Sequence, residues 1–252
     1  MSIIISLASY PARYSTLHLC LQSLFSQTFQ VDKIFLYVVP PKKLLPASVT
    51  LFENYGLHIC EVTEDLKPHN KYYYVMQKYK DDIVITVDDD VIYPHNLVEL
   101  LMDSYHKFPY AVSAGRAHGI RMKENGKPAE YTNWEWESQR YNKPLFHLMA
   151  TGVGGILYPP HCMDKKLFCK ENIQKFCLLQ DDVWLKFMQF MTGTPVVLIR
   201  QEKQHPPGIL NVYTNGLYIN NKYNGGTDKA FQLLLNEYKV DLKGLLKKDG
   251  YL

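Results

Sequence analysis

The sequence predicts an α/β fold: one domain with a mostly parallel sheet flanked by helices. Three observations predict it. Short, unbroken apolar runs recur along the chain, as in "IIISLA", "KIFLYVV", "IVITV" and "PVVLI", and such runs mark strands buried on both faces. Amphipathic helical periods alternate with them, which is the signature of βαβ units. A length of 252 residues at 46% hydrophobic and 21% charged suits one core of that size.

Each element follows in order. Ile3 to Ala8 is a buried strand, and after the turn "SYPAR" the residues Leu17, Cys20, Leu21, Leu24 and Phe25 repeat at helical spacing. Strands follow at 33–39 and 57–63, with a short helix near Leu51 between them. Residues 70–80 form a helix that feeds the strand 83–87, and Pro94 suits the first turn of the next helix. A strand at 110–115 precedes a stretch, 116–146, where periodicity is lost and Gly, Asn, Pro, Trp and Tyr accumulate. That stretch is an excursion over the sheet of the kind that carries function. A strand at 154–160, a helix at 180–191, a strand at 194–199 and a helix at 227–238 complete the chain. Residues 1–115 and 116–252 are expected to form two parts of this one domain.

A net charge of +3 without a Lys/Arg block argues against nucleic acid as a partner. Five cysteines without a C-x-x-C pair suit reduced cytoplasmic thiols. The opening "MSIIISLASY" lacks the basic n-region of a signal peptide, and no segment is long enough to span a bilayer. The expected location is cytoplasmic, with any membrane association peripheral at the inner face.

Asp88, Asp89 and Asp90 stand directly after the strand 83–87. Ligands of open α/β sheets sit beyond the carboxyl ends of the strands, so the triplet points at the binding crevice. Three adjacent carboxylates repel one another, and a divalent cation removes that cost. Oxygen donors without Cys or a His pair favour Mg²⁺ or Mn²⁺, ions that complete their shell with substrate phosphates. The competing structural reading makes one Asp a helix cap and the others solvated turn residues.

The set "SLASYPAR", "NKYYYVMQKYKDDIVITVDDDVIYP", "TGVGGILYPP" and "QDDVWL" resembles, in matching order, the nucleotide-sugar glycosyltransferases of GT-A (Rossmann-like) fold. The likeness is to bacterial family-2-like enzymes that build surface polysaccharides, and it covers about four-fifths of the chain. It implies a metal-dependent transferase that moves a sugar, by family habit from a UDP-sugar, to a glycan or lipid-linked glycan acceptor. By that resemblance Asp90 is the first metal ligand, Asp88 and Asp89 serve the donor site, and Asp88 and His205 support the metal. Ser9 and Arg13 would contact the nucleotide, and Lys71 the donor phosphate or nucleotide. "QDDVWL" resembles the motif whose carboxylate before the valine is the catalytic base, here Asp182, with Asp181 orienting it. Gly154 and Gly155 resemble the acceptor-side glycine segment.

Each of these residues also has a structural reading. Asp181 and Asp182 complement a helix N-terminus, an arrangement that lowers a carboxyl pKa. Arg13 and Lys71 are surface cations, His205 an ordinary loop histidine, and the glycines a bulge. Trp134 and Trp136, read from the residues themselves, suit stacking under a sugar ring, yet their alternation fits equally one ring in the core and its partner packed under a loop.

A rival class is the haloacid-dehalogenase-type phosphohydrolase, which also uses Asp-x-Asp after a strand and a later acidic pair on Mg²⁺. Its motif normally ends the first core strand, whereas three strands precede this one, and Ile92 stands where that motif wants Thr or Val. A non-catalytic carbohydrate-binding relative would be expected to lose one of the two acidic clusters, and both are present. A nucleotidyltransferase would want a glycine-rich loop after the first strand, and "SYPARYS" has no glycine.

Overall fold

Strand β1 (Ile3–Ser9) organises the sheet because both of its faces are apolar. Ile4, Ile5 and Leu7 are fully buried although they alternate between the two sides. On one flank it pairs in parallel with β2 (Lys33–Val38), which pairs with the edge strand β3 (Leu57–Glu61). The chain then crosses back, and β4 (Ile83–Thr86) pairs in parallel on the other flank of β1, with Ser6 opposite Thr86. The connection therefore reverses direction between β1 and β4. In such sheets a crevice opens at that reversal, beyond the carboxyl ends of the strands.

The computed structural model describes residues 1–137, 140–201, 206–209 and 224–250. Its main sheet has seven strands, completed by β5 (Val112–Ala114), β9 (Ile156–Tyr158) and β10 (Val196–Leu198). The order is β10-β5-β9-β4-β1-β2-β3. All pairs are parallel except those of β9, which runs antiparallel between β4 and β5. The excursion expected over 116–146 supplies two strands of a second, antiparallel sheet, β6 (Ala117–Gly119) and β7 (Glu135–Trp136), and β8 (Leu148–Ala150), just after it, pairs with the other side of β6.

Helices α1 (Leu17–Phe25) and α4 (Leu97–Lys107) supply Leu17, Leu21, Leu97 and Leu101 to one sheet face, against Ile5, Leu7 and Ile85. The short α2 (Ala47–Thr50) adds Val49 to the same core. Helix α3 (Asn70–Lys78) covers the other face, where Val75 packs with Ile4, Phe35 and Val84. Its start is fixed by Asn70, whose side-chain oxygen accepts the Leu66 amide. The single turn α5 (Lys170–Asn172) runs into a π-helical turn at Ile173–Cys177, and α6 (Asp181–Thr192) follows. Helices α6, α7 (Gly226–Tyr238) and α8 (Leu242–Lys248) bury Trp184, Phe187, Phe231, Leu234 and Leu246 beside the small sheet. The sequence reading gave no helix at α5 or α8, since each is too short to display a period.

Two long-range ties matter for the site. Ile92 donates its amide to the Pro207 carbonyl at 2.9 Å, and Ile209 donates to the Asp90 carbonyl at 2.8 Å. Asp249, after α8, accepts the amides of Phe146 and His147 and pairs with the His147 ring at 2.8 Å. All five cysteines are free thiols. Among the described residues, no helix is long and apolar enough to cross a membrane.

Candidate active site

The carboxyl ends of β1 and β4 bring Ser9, Arg13 and the aspartate triplet together. Arg13 ends a 3₁₀ turn opened by Pro11. Its Nη1 lies 2.6 Å from Asp89 Oδ1 and 2.8 Å from Asp90 Oδ2. Burial works against the Arg13 charge, but Asp89 and Asp90 outweigh it and hold the guanidinium firmly protonated. Asp89 is buried beneath it, and desolvation raises its pKa although Arg13 and the Ser9 hydroxyl favour the ionised form. Arg13 is thus no free surface cation. It is the countercharge of the triplet.

Asp90 and Asp88 stand closer to the crevice. Burial pushes the Asp90 carboxyl up to about 6, and the Asp88 charge adds to the shift. The Asp88 amide donates to the Tyr93 hydroxyl at 2.8 Å and its carbonyl accepts the Cys20 thiol, so its backbone is pinned from two sides.

Lys71 is not a surface lysine. At 5% exposure, its ammonium lies 2.7 Å from Asp88 Oδ1 and 2.8 Å from Asp181 Oδ2. Burial disfavours its charge, and Asp181, Asp88 and Asp182 overcome that cost and raise its pKa well above the ordinary value. The sequence placed Lys71 on donor phosphate; the structure spends it on two carboxylates.

Asp181 and Asp182 open α6 as expected, but their environments drive them apart. Asp181 is buried, yet Lys71 and the nearby His69 hold its pKa below the ordinary value. Asp182 is only partly covered and accepts the Gly152 amide at 3.0 Å. Burial raises it to about 8, with the Asp181 charge contributing next. A helix N-terminus alone would lower both. Two adjacent carboxyls pushed in opposite directions is the pattern of an acid–base pair rather than of simple capping.

The acceptor-side expectations fare unevenly. Trp134 is 4% exposed, donates its indole N–H to the Ala129 carbonyl and packs edge-on against Phe231, so its ring is committed to the core. Trp136 is half-buried, its ring 4.3 Å from His118 and within 6.0 Å of the Arg116 guanidinium. Arg116, absent from the sequence-based set, donates to Glu137 at 2.8 and 2.6 Å and to Thr151 Oγ1 at 3.1 Å, and Thr151 precedes Gly152. Gly154 and Gly155 are required by packing. A Cβ on Gly154 would sit 2.4 Å from the Arg116 nitrogen, and one on Gly155, at φ +78°, would sit 2.8 Å from Leu97. Gly152 is the glycine of the site itself: a Cβ there would lie 2.5 Å from the Lys71 ammonium and 2.9 Å from Asp88. Its signal, the first glycine of "TGVGG", was visible in the sequence, but its role was not.

The donors in place do not by themselves make a metal cage. Among the described residues no three His, Cys, Asp or Glu side chains converge into a cage. His205 lies outside the described residues, although its neighbours Pro206 to Ile209 run beside residues 90–92. Asp88 and Asp90 each have one oxygen on a cation, and a second that no described group engages. Two carboxylate oxygens suit Mg²⁺ or Mn²⁺, which take one or two carboxylates and fill the rest of the shell with water and phosphate.

A family model, glycosyl transferase family 2, matches residues 2–168. The chain belongs to that family, and with it to the GT-A-fold glycosyltransferases. The solved structure of S. aureus TarS residues 1–349 in complex with UDP superposes with a TM-score of 0.59 at 12% identity, over 96% of this chain and 67% of that one. The mannosyltransferase PcManGT from Pyrobaculum calidifontis, in complex with GDP-Man and Mn²⁺, gives 0.56 at 11% identity, over 93% of this chain and 64% of that one. A longer S. aureus TarS structure gives 0.57 at 13% identity, over 96% and 40% respectively. At these identities the likeness is one of fold, and the chain spans two thirds or less of each of these structures. No sequence match to a curated protein was found. A glycosyltransferase-like activity with a nucleotide-sugar donor is the general function that family membership carries.

Proposed function

We propose that this chain is a metal-dependent, inverting glycosyltransferase that moves a sugar from a UDP-sugar to a glycan or lipid-linked glycan acceptor, as in the building of a surface polysaccharide. The observation that carries this reading is the division of one crevice into two acidic halves, Asp88 to Asp90 on the donor side and Asp181 with Asp182 on the other. Asp90 and Asp88 would hold Mn²⁺ or Mg²⁺. When bound there, the ion supplies charge stabilisation to the departing nucleoside diphosphate. Ser9 and Arg13 stand against the same aspartates; Arg13 can turn its fork from Asp90 toward phosphate or base edges.

Asp182, once ionised, accepts the proton of the acceptor hydroxyl while that oxygen attacks the anomeric carbon and the bond from that carbon to the diphosphate oxygen breaks. A base whose pKa lies near 8 is well matched to that proton transfer close to neutrality. Asp181 keeps its charge beside it and orients it. Attack from the face opposite the diphosphate gives inversion, which stands or falls with Asp182. Trp136 and the Arg116–Glu137 pair, linked to Gly152 through Thr151, line the side where an acceptor ring would stack. We assign this work to the cytoplasm, at the inner membrane face when the acceptor is lipid-linked.

The test is release of nucleoside diphosphate from a panel of nucleotide sugars with Mn²⁺, with and without glycan acceptors, beside an aryl phosphate. Nucleotide-sugar turnover lost in Asp90→Ala and Asp182→Asn is the expected result. Hydrolysis of the aryl phosphate without need of a nucleotide would replace this reading with the phosphohydrolase.

A further inference from the structure

The Lys71 ammonium occupies an unusual place. It is one of the few buried charges in the molecule, and it joins an aspartate at the end of β4 to one at the start of α6, 93 positions later in the chain. Three separate features fix it there. The Lys71 carbonyl accepts the Ser6 hydroxyl from the centre of β1 at 2.5 Å. His69, two residues earlier and fully buried, sets Nε2 at 2.8 Å from the Cys177 carbonyl, so the start of α3 also grips the π-helical turn that leads into α6. Gly152 leaves the space through which the ammonium reaches Asp88, and its amide holds Asp182.

We infer that Lys71 is a positioning residue that carries the donor-side Asp88 and the base-side Asp181 on one charge, and that it restrains the affinity of the donor half for a divalent cation by neutralising Asp88. The inference rests on the proposed function for the identity of the two halves. It goes further in giving them a shared strut. With one ammonium between them, Asp181 stays fixed beside Asp182 only while Lys71 is in place. A cation arriving at Asp88 meets a carboxylate already half-satisfied. Removing the lysine has opposite effects on the two sides: the base-side carboxylates lose their anchor, and the donor-side carboxylates gain free negative charge.

The experiment uses the full chain, with Mn²⁺ alone as the probe, titrated while the EPR signal of the free ion is followed. Lys71→Met, of similar length and uncharged, is expected to bind Mn²⁺ about tenfold more tightly than the parent, since a neighbouring positive charge has been removed from a poorly screened site. In the same protein, turnover of the nucleotide sugar is expected to fall about 100-fold with donor KM changed less than about threefold, the pattern of an interaction felt in the transition state. Lys71→Gln is the milder replacement: it removes the charge and keeps a polar head able to hydrogen-bond Asp88 and Asp181. It is expected to shift Mn²⁺ affinity and turnover in the same directions, and it decides the matter alone if Lys71→Met does not fold. Mn²⁺ affinity that is equal or weaker in the variants, including a loss of turnover without any gain in Mn²⁺ binding, overturns the inference and leaves Lys71 a purely structural residue. A parent protein that turns over no nucleotide sugar would defeat the proposed function instead, and the Mn²⁺ arm would still read the link between Lys71 and Asp88.

Discussion

The two walls of the crevice are built in different ways. The wall we propose for the donor grows from β1 and β4, neighbours in register over Ile3 to Ser6 and Ile83 to Thr86 in the middle of a seven-stranded sheet. The wall we propose for the acceptor rests on strands of two or three residues, β6 to β8, braced by α6 and α7. One wall is held by backbone pairing and the other mainly by side chains. Chemistry that all donors share can sit on the first, whereas specificity for an acceptor needs a surface that can be rebuilt residue by residue.

That contrast can be broken most severely at the base. Asp182→Asn should cost about 10³-fold in kcat, within the usual range for a general base, while UDP affinity stays near the parent value. The rising limb of kcat/KM, centred near pH 8 if Asp182 must be ionised in the free enzyme, should vanish with it. UDP affinity that falls with kcat would mean that the two walls do not divide the work.

Next in size is the buried aromatic. Trp134→Ala should lower the stability of the fold by about 3–4 kcal/mol, measured by urea unfolding, because it empties the contact with Tyr131 and Phe231. A change of under about 1 kcal/mol would show that side-chain packing is not what holds the acceptor wall.

Lys186 sharpens the same point. It lies in α6 at 1% exposure, its Nζ over the Phe190 ring, and burial drops its pKa to about 7 from 10.5, with Asp249 opposing the shift. Between those two values the unfolded chain binds more protons than the folded one, so the stability of the parent should rise as pH rises through that window. Lys186→Met should be more stable at pH 7 by about 1–2 kcal/mol and should flatten that rise, as followed by thermal unfolding at several pH values. Smallest of all, Trp136→Ala should raise acceptor KM by about five- to tenfold, the worth of one aromatic contact, without moving donor KM.

Much of the donor wall was legible in the sequence. Ile83 to Val87 read as a strand buried on both faces, which β4 bears out, and three carboxylates at its end pointed to a divalent cation or, more plainly, to a helix cap and solvated turn residues. The antiparallel course of β9 was not legible, because direction is settled by partners far along the chain rather than by the run "GILYPP" itself. Lys71 read as a contact to donor phosphate or nucleotide, or as a surface lysine, and only tertiary structure shows that Asp88 and Asp181 converge on it. Two residues apart, Trp134 and Trp136 would share one face of a continuous strand; the sequence did not show that Trp134 precedes β7 with its ring in the core while Trp136 stays half-buried. Arg116 carried no local signal, since its partners Glu137 and Thr151 stand 21 and 35 residues away.

The tie between residues 90–92 and 207–209 sets a timetable for the nascent polypeptide. Synthesis runs from the N-terminus, so β1, β4 and the aspartates leave the ribosome more than a hundred residues before Pro207 and Ile209 do. Until those residues emerge, the carbonyl of Asp90 and the amide of Ile92 face water. The loop of aspartates is therefore among the first parts to be started and among the last to be finished.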